Sequence, residues 1–280
     1  MKQEFQKHTI TIRQSDVAYW TYGDPSKPTV LLIHGFRGDH FGFTSIAEHL
    51  DSYYVVIPDL PGYGESQSWQ TTPHAIEAYA DWLHEFCIAI HMIRPIVVGH
   101  SFGATIALVF AHTYGNEISQ LILMSPVVSE NSVRAAIGAI YYSSAKYVPS
   151  PLRRSYLINP VSDMCANLML FKTGSIRNRL RILSEGLHNT KKFHENVIFE
   201  NFASLQRIDP FSYAPSLTMP VCIIAGTDDV FCKPSDIQRL CGDITNITCT
   251  YLDDEGHLLP LEQPQRAASA LCAFISSSPA

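Results

Sequence analysis

The stretch Ile96-Val97-Val98-Gly99-His100-Ser101-Phe102-Gly103-Ala104-Thr105-Ile106-Ala107-Leu108 constrains this chain more than any other. A β-branched apolar run passes into a helical pattern across a turn that holds two glycines and one serine, so a buried strand must reverse sharply into a helix. Small residues at Gly99 and Gly103 let the two elements approach without side-chain collision, and Ser101 sits at the apex. A hydroxyl there projects over the sheet edge at a helix N-terminus, where free backbone N–H groups and the helix dipole favour developing negative charge. The pattern reads as a nucleophile elbow, with the Phe102 amide as one oxyanion donor.

The flanking sequence supplies the rest of an α/β architecture. Alternation in His8 to Arg13 and Val17 to Tyr22, divided by Gln14-Ser15-Asp16, predicts an N-terminal hairpin. Apolar runs at Thr29 to Ile33, Tyr54 to Ile57, Pro95 to Val98, Leu121 to Met124, Val221 to Ala225 and Thr248 to Leu252 predict buried, mostly parallel strands. Helical patterns lie between them near Phe43 to Leu50, His74 to His91, Phe102 to Tyr114, Pro234 to Leu240 and Pro264 to Phe274. Residues 127–210 break the alternation, with helical patterns such as Val133 to Val148 and Ile176 to His188 and turns at Pro149-Ser150-Pro151 and Asn159-Pro160. The expected organisation is a core of residues 1–126 and 211–280 with a helical cap of 127–210 inserted after one strand.

With 280 residues and 46% hydrophobic content, the chain has enough apolar material for one large domain with an insertion. The N-terminal residues Met1 to His8 carry charges where a secretory signal needs an apolar run, and no stretch has the length of a membrane span, so an unexported, cytoplasmic protein is expected. Cys87, Cys165, Cys222, Cys232, Cys241, Cys249 and Cys272 show no paired or zinc-like spacing and read as free thiols, with no metal or cofactor implied. The net charge of −6 argues against a nucleic-acid partner. Residues 127–210 nevertheless hold 11 Lys and Arg against 6 Asp and Glu, a local +5, through Arg153, Arg154, Lys172, Arg177, Arg179, Arg181, Lys191, Lys192 and others. This is either a solvated helical face or an attraction for an anionic substrate.

A serine hydroxyl is a weak nucleophile at neutral pH and needs a general base, which needs an orienting carboxylate. His257 lies in the polar loop Asp253-Asp254-Glu255-Gly256-His257 after the last strand, on the sheet edge that carries the elbow. The strand Ile223-Ile224-Ala225-Gly226 is followed by Thr227-Asp228-Asp229, which places two carboxylates just past its end. Asp229 has the better position for the acid, and Asp228 reads as a turn residue. The chain order is Ser, Asp, His.

These segments resemble the α/β-hydrolase superfamily over nearly the whole chain: His34-Gly35-Phe36, Asp59-Leu60-Pro61-Gly62-Tyr63-Gly64-Glu65-Ser66, the elbow, Gly226-Thr227-Asp228-Asp229 and Gly256-His257. The resemblance implies a second oxyanion amide at Phe36, with His34 helping to hold that loop. Gly35 and His100 are expected to support the pocket, with His100 packing beside the elbow. Some relatives carry the acid after the preceding strand, where this chain has Ser125-Pro126. Relatives that work through an alkyl-enzyme ester use aspartate at the nucleophile position, and here it is serine. The expected activity is hydrolysis of a small or medium carboxylic ester through an acyl-enzyme. Tyr141, Tyr142, Tyr147, Tyr156, Phe171, Phe193, Phe199 and Phe202 are candidates for an apolar acyl pocket or for cap packing. Two alternatives use the same fold: a C–C hydrolase of meta-cleavage products, motivated by the basic cap, and a hydrolase-fold receptor without turnover.

Overall fold

A computed structural model describes residues 4–128, 133–157, 159 and 195–278. The apolar runs assemble into β1 (Gln6–Ile12), β2 (Ser15–Tyr22), β3 (Thr29–Ile33), β4 (Tyr54–Pro58), β5 (Ile96–His100), β6 (Gln120–Met124), β7 (Val221–Gly226) and β8 (Ile247–Leu252). They form one sheet in the order β1-β2-β4-β3-β5-β6-β7-β8. The β1/β2 and β2/β4 pairs are antiparallel, and every later pair is parallel.

Among the described residues the α-helices in chain order are α1 (Phe41–Ala47), α2 (Ile76–Ala89), α3 (Phe102–Tyr114), α4 (Val133–Ser144), α5 (Ser150–Leu157), α6 (Glu195–Leu205), α7 (Pro210–Tyr213), α8 (Pro234–Gly242), α9 (Leu259–Glu262) and α10 (Pro264–Ser277). Period-two alternation divides the strand side chains between two cores. Leu31, Ile33, Val97, Leu121 and Leu123 meet α2, α3 and α8, whereas Val30, Leu32, Ile96, Val98, Ile122 and Met124 meet α1 and α10. Burial on both faces is why the parallel strands read as unbroken apolar runs rather than as alternating ones. The topology sends the carboxyl ends of β3, β5, β6, β7 and β8 to one edge, where the serine, acid and histidine loops emerge.

Among the boundaries that differ from the sequence reading, two have a clear structural reason. The hairpin turns on Arg13 and Gln14, with φ of 52° and 60°, the left-handed pair that a two-residue turn between twisted strands needs. The Arg13 guanidinium is held by Glu85 on α2 at 2.7 Å and lies 5.5 Å from the centre of the Trp69 ring. Helix α2 begins at Ile76 rather than at His74, and no neighbouring side chain caps it. Its cap comes from α6 instead: the Ile76 amide donates to Ser204 Oγ at 2.9 Å and the His74 amide to Glu200 Oε2 at 2.7 Å.

Among the described residues between β6 and β7 the regular elements are helices. The expected helix Ile176 to His188, the cations from Lys172 to Lys192, Pro160, Phe171, Phe193 and Cys165 lie outside the described residues. The expectation of free thiols throughout fails at one pair, because Cys241 at the end of α8 and Cys249 in β8 form a disulfide. A short connection brings the end of α8 back beside β8, an adjacency that an eight-residue separation does not announce. Burial pushes the Cys87 and Cys222 thiols up to about 12, so both stay protonated and inert at neutral pH. No helix among the described residues is long and apolar enough to cross a membrane.

Candidate active site

Ser101 lies between β5 and α3 with φ 54° and ψ −117°, a strained conformation that persists because its surroundings fix it. The Ser101 amide donates to the Met124 carbonyl at 3.0 Å, which pins the apex to the neighbouring strand. A Cβ on Gly99 would stand 2.3 Å from the Gly103 carbonyl oxygen, and one on Gly103 would stand 2.2 Å from that of Ile33. The two glycines therefore let α3 lie directly on the strands. Gly103→Ala is expected to cost roughly 3 kcal/mol or to prevent folding, read by thermal unfolding, since the atom it meets is backbone and cannot swing aside.

Three loops bring the predicted side chains together. Ser101 Oγ donates to His257 Nε2 at 2.8 Å, and His257 Nδ1 donates to Asp229 Oδ1 and Oδ2 at 2.9 Å each. All three residues are buried. The Asp229 carboxylate also accepts the Phe231 amide at 2.9 Å. Burial alone would raise the Asp229 pKa, but the charge of His257 and the hydrogen bonds from His257 and Phe231 outweigh it and hold the carboxyl below its ordinary value. An ionised Asp229 keeps the Nδ1 proton on the imidazole and leaves Nε2 free to accept from the serine. Asp228 is exposed, and its amide donates to the Glu255 carbonyl at 3.0 Å, so adjacent carboxylates have separate fates.

The loop after β3 is built on His34. Its Nε2 accepts the Leu60 amide at 3.0 Å and its Nδ1 donates to the Gly35 carbonyl at 3.0 Å, a pattern that only the neutral ring can satisfy. A turn closed by the Gly38 amide on the Gly35 carbonyl at 3.0 Å then presents Phe36, with Arg37 at φ 59°. Helix α3 opens at Phe102, so its first amides have no acceptor within the helix. The Phe36 ring meets Tyr142 of α4 at 5.3 Å, Phe202 of α6 at 6.3 Å and Phe102 at 6.1 Å between centroids. Tyr142 and Phe202 thus reach the site, whereas Tyr141 and Tyr156 pack against one another, tilted, at 5.0 Å and Tyr147 is exposed.

Other residues gain roles that the sequence did not assign. Asp59, fully buried, accepts the His40 amide, His40 Nδ1 and the Glu65 amide at 2.8, 2.9 and 2.8 Å, which ties the Pro61 to Ser66 loop to the loop after β3. The Tyr63 hydroxyl donates to Asn201 on α6, and Asn201 Nδ2 donates to the His74 carbonyl at 2.5 Å. The motif Asp59 to Ser66 signalled Asp59 and Tyr63 in the sequence, but nothing local signalled Asn201. His100 is buried with its Nε2 2.9 Å from the His257 carbonyl oxygen. Arg153 turns its Nη2 to the Val148 carbonyl at 3.4 Å, with its guanidinium 6.0 Å from the Phe199 ring.

The buried histidines give the fold an acid limit. Burial lowers the pKa of His34, and burial followed by the neighbouring His257 lowers that of His100 to about 3. Unfolded, both titrate near ~6.5, so below that pH the unfolded chain binds more protons than the folded one. Stability is therefore complete above about pH 6.5 and falls with acid at up to ~1.4 kcal/mol per pH unit for each ring, down to its folded pKa. Urea unfolding at pH 7, 5.5 and 4 should give a steadily lower midpoint. A constant midpoint would contradict neutral, buried rings.

The family model described as alpha/beta hydrolase fold matches residues 28–166, from the strand before His34 through the elbow. Lipase 1 of Psychrobacter immobilis is 24% identical over 290 residues, covering 98% of this chain and 86% of the relative. A thermophilic esterase from Thermogutta terrifontis, solved with malate bound, superposes with a TM-score of 0.80 at 25% identity over 98% of each chain. A 2-hydroxy-6-oxo-6-phenylhexa-2,4-dienoate hydrolase from Rhodococcus sp. strain RHA1 gives 0.81 at 17% identity, covering 98% of this chain and 99% of the other. The strand order, the strained serine turn between β5 and α3, and these whole-chain matches lead to one assignment: the chain has the α/β-hydrolase fold.

Proposed function

We propose that this protein is a serine hydrolase that cleaves carboxylic esters through an acyl-enzyme. The observation that carries the reading is the continuous contact from Ser101 Oγ through His257 to the Asp229 carboxylate. Ser101 Oγ attacks the ester carbonyl while His257 Nε2 takes its proton, and the imidazolium so formed is stabilised by Asp229. The Phe36 and Phe102 amides hold the oxyanion, each worth on the order of 3 kcal/mol in the transition state. His257 returns the proton to the leaving alkoxide, then activates water against the acyl-enzyme. The lipase and the esterase among the relatives are in keeping with an ester as the bond cleaved.

In this reading residues 127–210 are a cap over the core of 1–126 and 211–280, and Tyr142 and Phe202 form with Phe36 an apolar wall for the acyl group. A p-nitrophenyl ester series from acetate to decanoate tests it. Turnover should peak at one chain length, and Phe202→Ala should move the peak to longer chains by opening the wall. Absence of turnover across the series would sink the ester reading, and an unchanged peak would remove Phe202 from the pocket.

A further inference from the structure

We propose that His100 is a positioning residue, a strut that fixes the backbone of His257 relative to the elbow so that the imidazole meets Ser101. The proposal rests on the reading of Ser101, His257 and Asp229 as the reacting groups. His100 Nε2 lies 2.9 Å from the carbonyl oxygen of His257. A carbonyl only accepts, so Nε2 carries the hydrogen and donates it. Burial and the neighbouring His257 lower the His100 pKa to about 3, which keeps the ring neutral around pH 7. His100 therefore serves as a fixed donor and not as a second base.

The ring is clamped from three sides. Phe43 of α1 meets it edge-on at 6.4 Å, and the His257 ring lies 5.4 Å away. A Cβ on Gly35 would stand 3.1 Å from His100 Nδ1 and 3.3 Å from Ser101 Cβ, so the glycine makes room for the ring beside the loop that presents Phe36.

What makes the strut consequential is its place in the chain. The Asp228 amide on the Glu255 carbonyl and the Asp254 amide on Thr227 Oγ1, both at 3.0 Å, fasten the histidine loop to the β7 side, where Asp229 sits. His100 fastens the same loop to the nucleophile side. Because His100 directly precedes Ser101, one peptide unit sets both the nucleophile and the anchor of its base. The distance between Oγ and Nε2 then does not depend on the separate placement of β5 and β8.

The test compares His100→Leu, which fills the space without a donor, with His100→Gln, whose side-chain amide nitrogen reaches the position of Nε2. In wild-type enzyme that turns over a p-nitrophenyl ester and is labelled at Ser101 by a fluorophosphonate, His100→Leu should lower kcat roughly 10- to 100-fold with KM within about twofold, the scale of a small misplacement of reacting groups. The labelling rate should fall in parallel, and His100→Gln should restore most of both. Should His100→Leu fail to fold, His100→Asn takes its place, since its amide falls short of the carbonyl and should be impaired where Gln is not. Wild-type kcat in the Leu variant, or a Gln variant no better than Leu or Asn, would overturn the strut while leaving the triad reading intact. A wild-type enzyme without turnover or labelling would overturn the triad reading and the strut with it.

Discussion

Replacing Ser101 with alanine is expected to reduce kcat on p-nitrophenyl esters by at least ~10³-fold and as much as ~10⁶-fold, with the fold retained. The hydroxyl is the atom that would become the acyl link, and its contact with His257 Nε2 at 2.8 Å gives it a base. Alanine keeps the Cβ that already occupies the φ 54° position, so the backbone strain is the same in both proteins and stability should change little. Steady-state kinetics alongside thermal unfolding would separate the two effects. A Ser101→Ala enzyme with wild-type turnover would place the chemistry elsewhere.

The second large effect is expected at Asp229. Asparagine has the size of aspartate but presents an NH₂ group, which can donate to His257 Nδ1 and so drives the imidazole to the tautomer protonated at Nε2. In that state the histidine cannot accept the serine proton, and kcat at neutral pH should fall on the order of 10⁴-fold. The neighbouring Asp228 supplies the control. It is exposed where Asp229 is buried, and Asp228→Asn should leave kcat within about twofold. Equal losses in both variants would mean that net charge in the loop matters rather than the bond to Nδ1.

Local physics decided how much was readable from the residues. The elbow was legible because strand, glycine turn and helix are contiguous, and Gly99 and Gly103 are required by contacts within that same unit and with the adjoining strand. The shared edge of the serine, acid and histidine loops followed from the rule that parallel strands deliver their carboxyl ends to one side. The hairpin turn was misplaced because Arg13 and Gln14 adopt positive φ without the glycine or asparagine that normally advertises it, held in place by Glu85, 72 residues away. The start of α2 was misplaced because its cap comes from Ser204, 128 residues along the chain. Asn201 gave no signal for the same reason, since its partner Tyr63 lies 138 residues before it. Among the cysteines, spacing alone could not single out Cys241 and Cys249.

The most direct test of the account is reaction of the native protein with a fluorophosphonate probe, followed by peptide mapping of the adduct. Such a probe phosphonylates, with loss of fluoride, only a serine whose hydroxyl is activated by a correctly placed base. The account predicts a single adduct on the peptide bearing Ser101, lost in Ser101→Ala and strongly slowed in His257→Ala. A protein that stays unlabelled, or that carries the adduct on another serine, would contradict it.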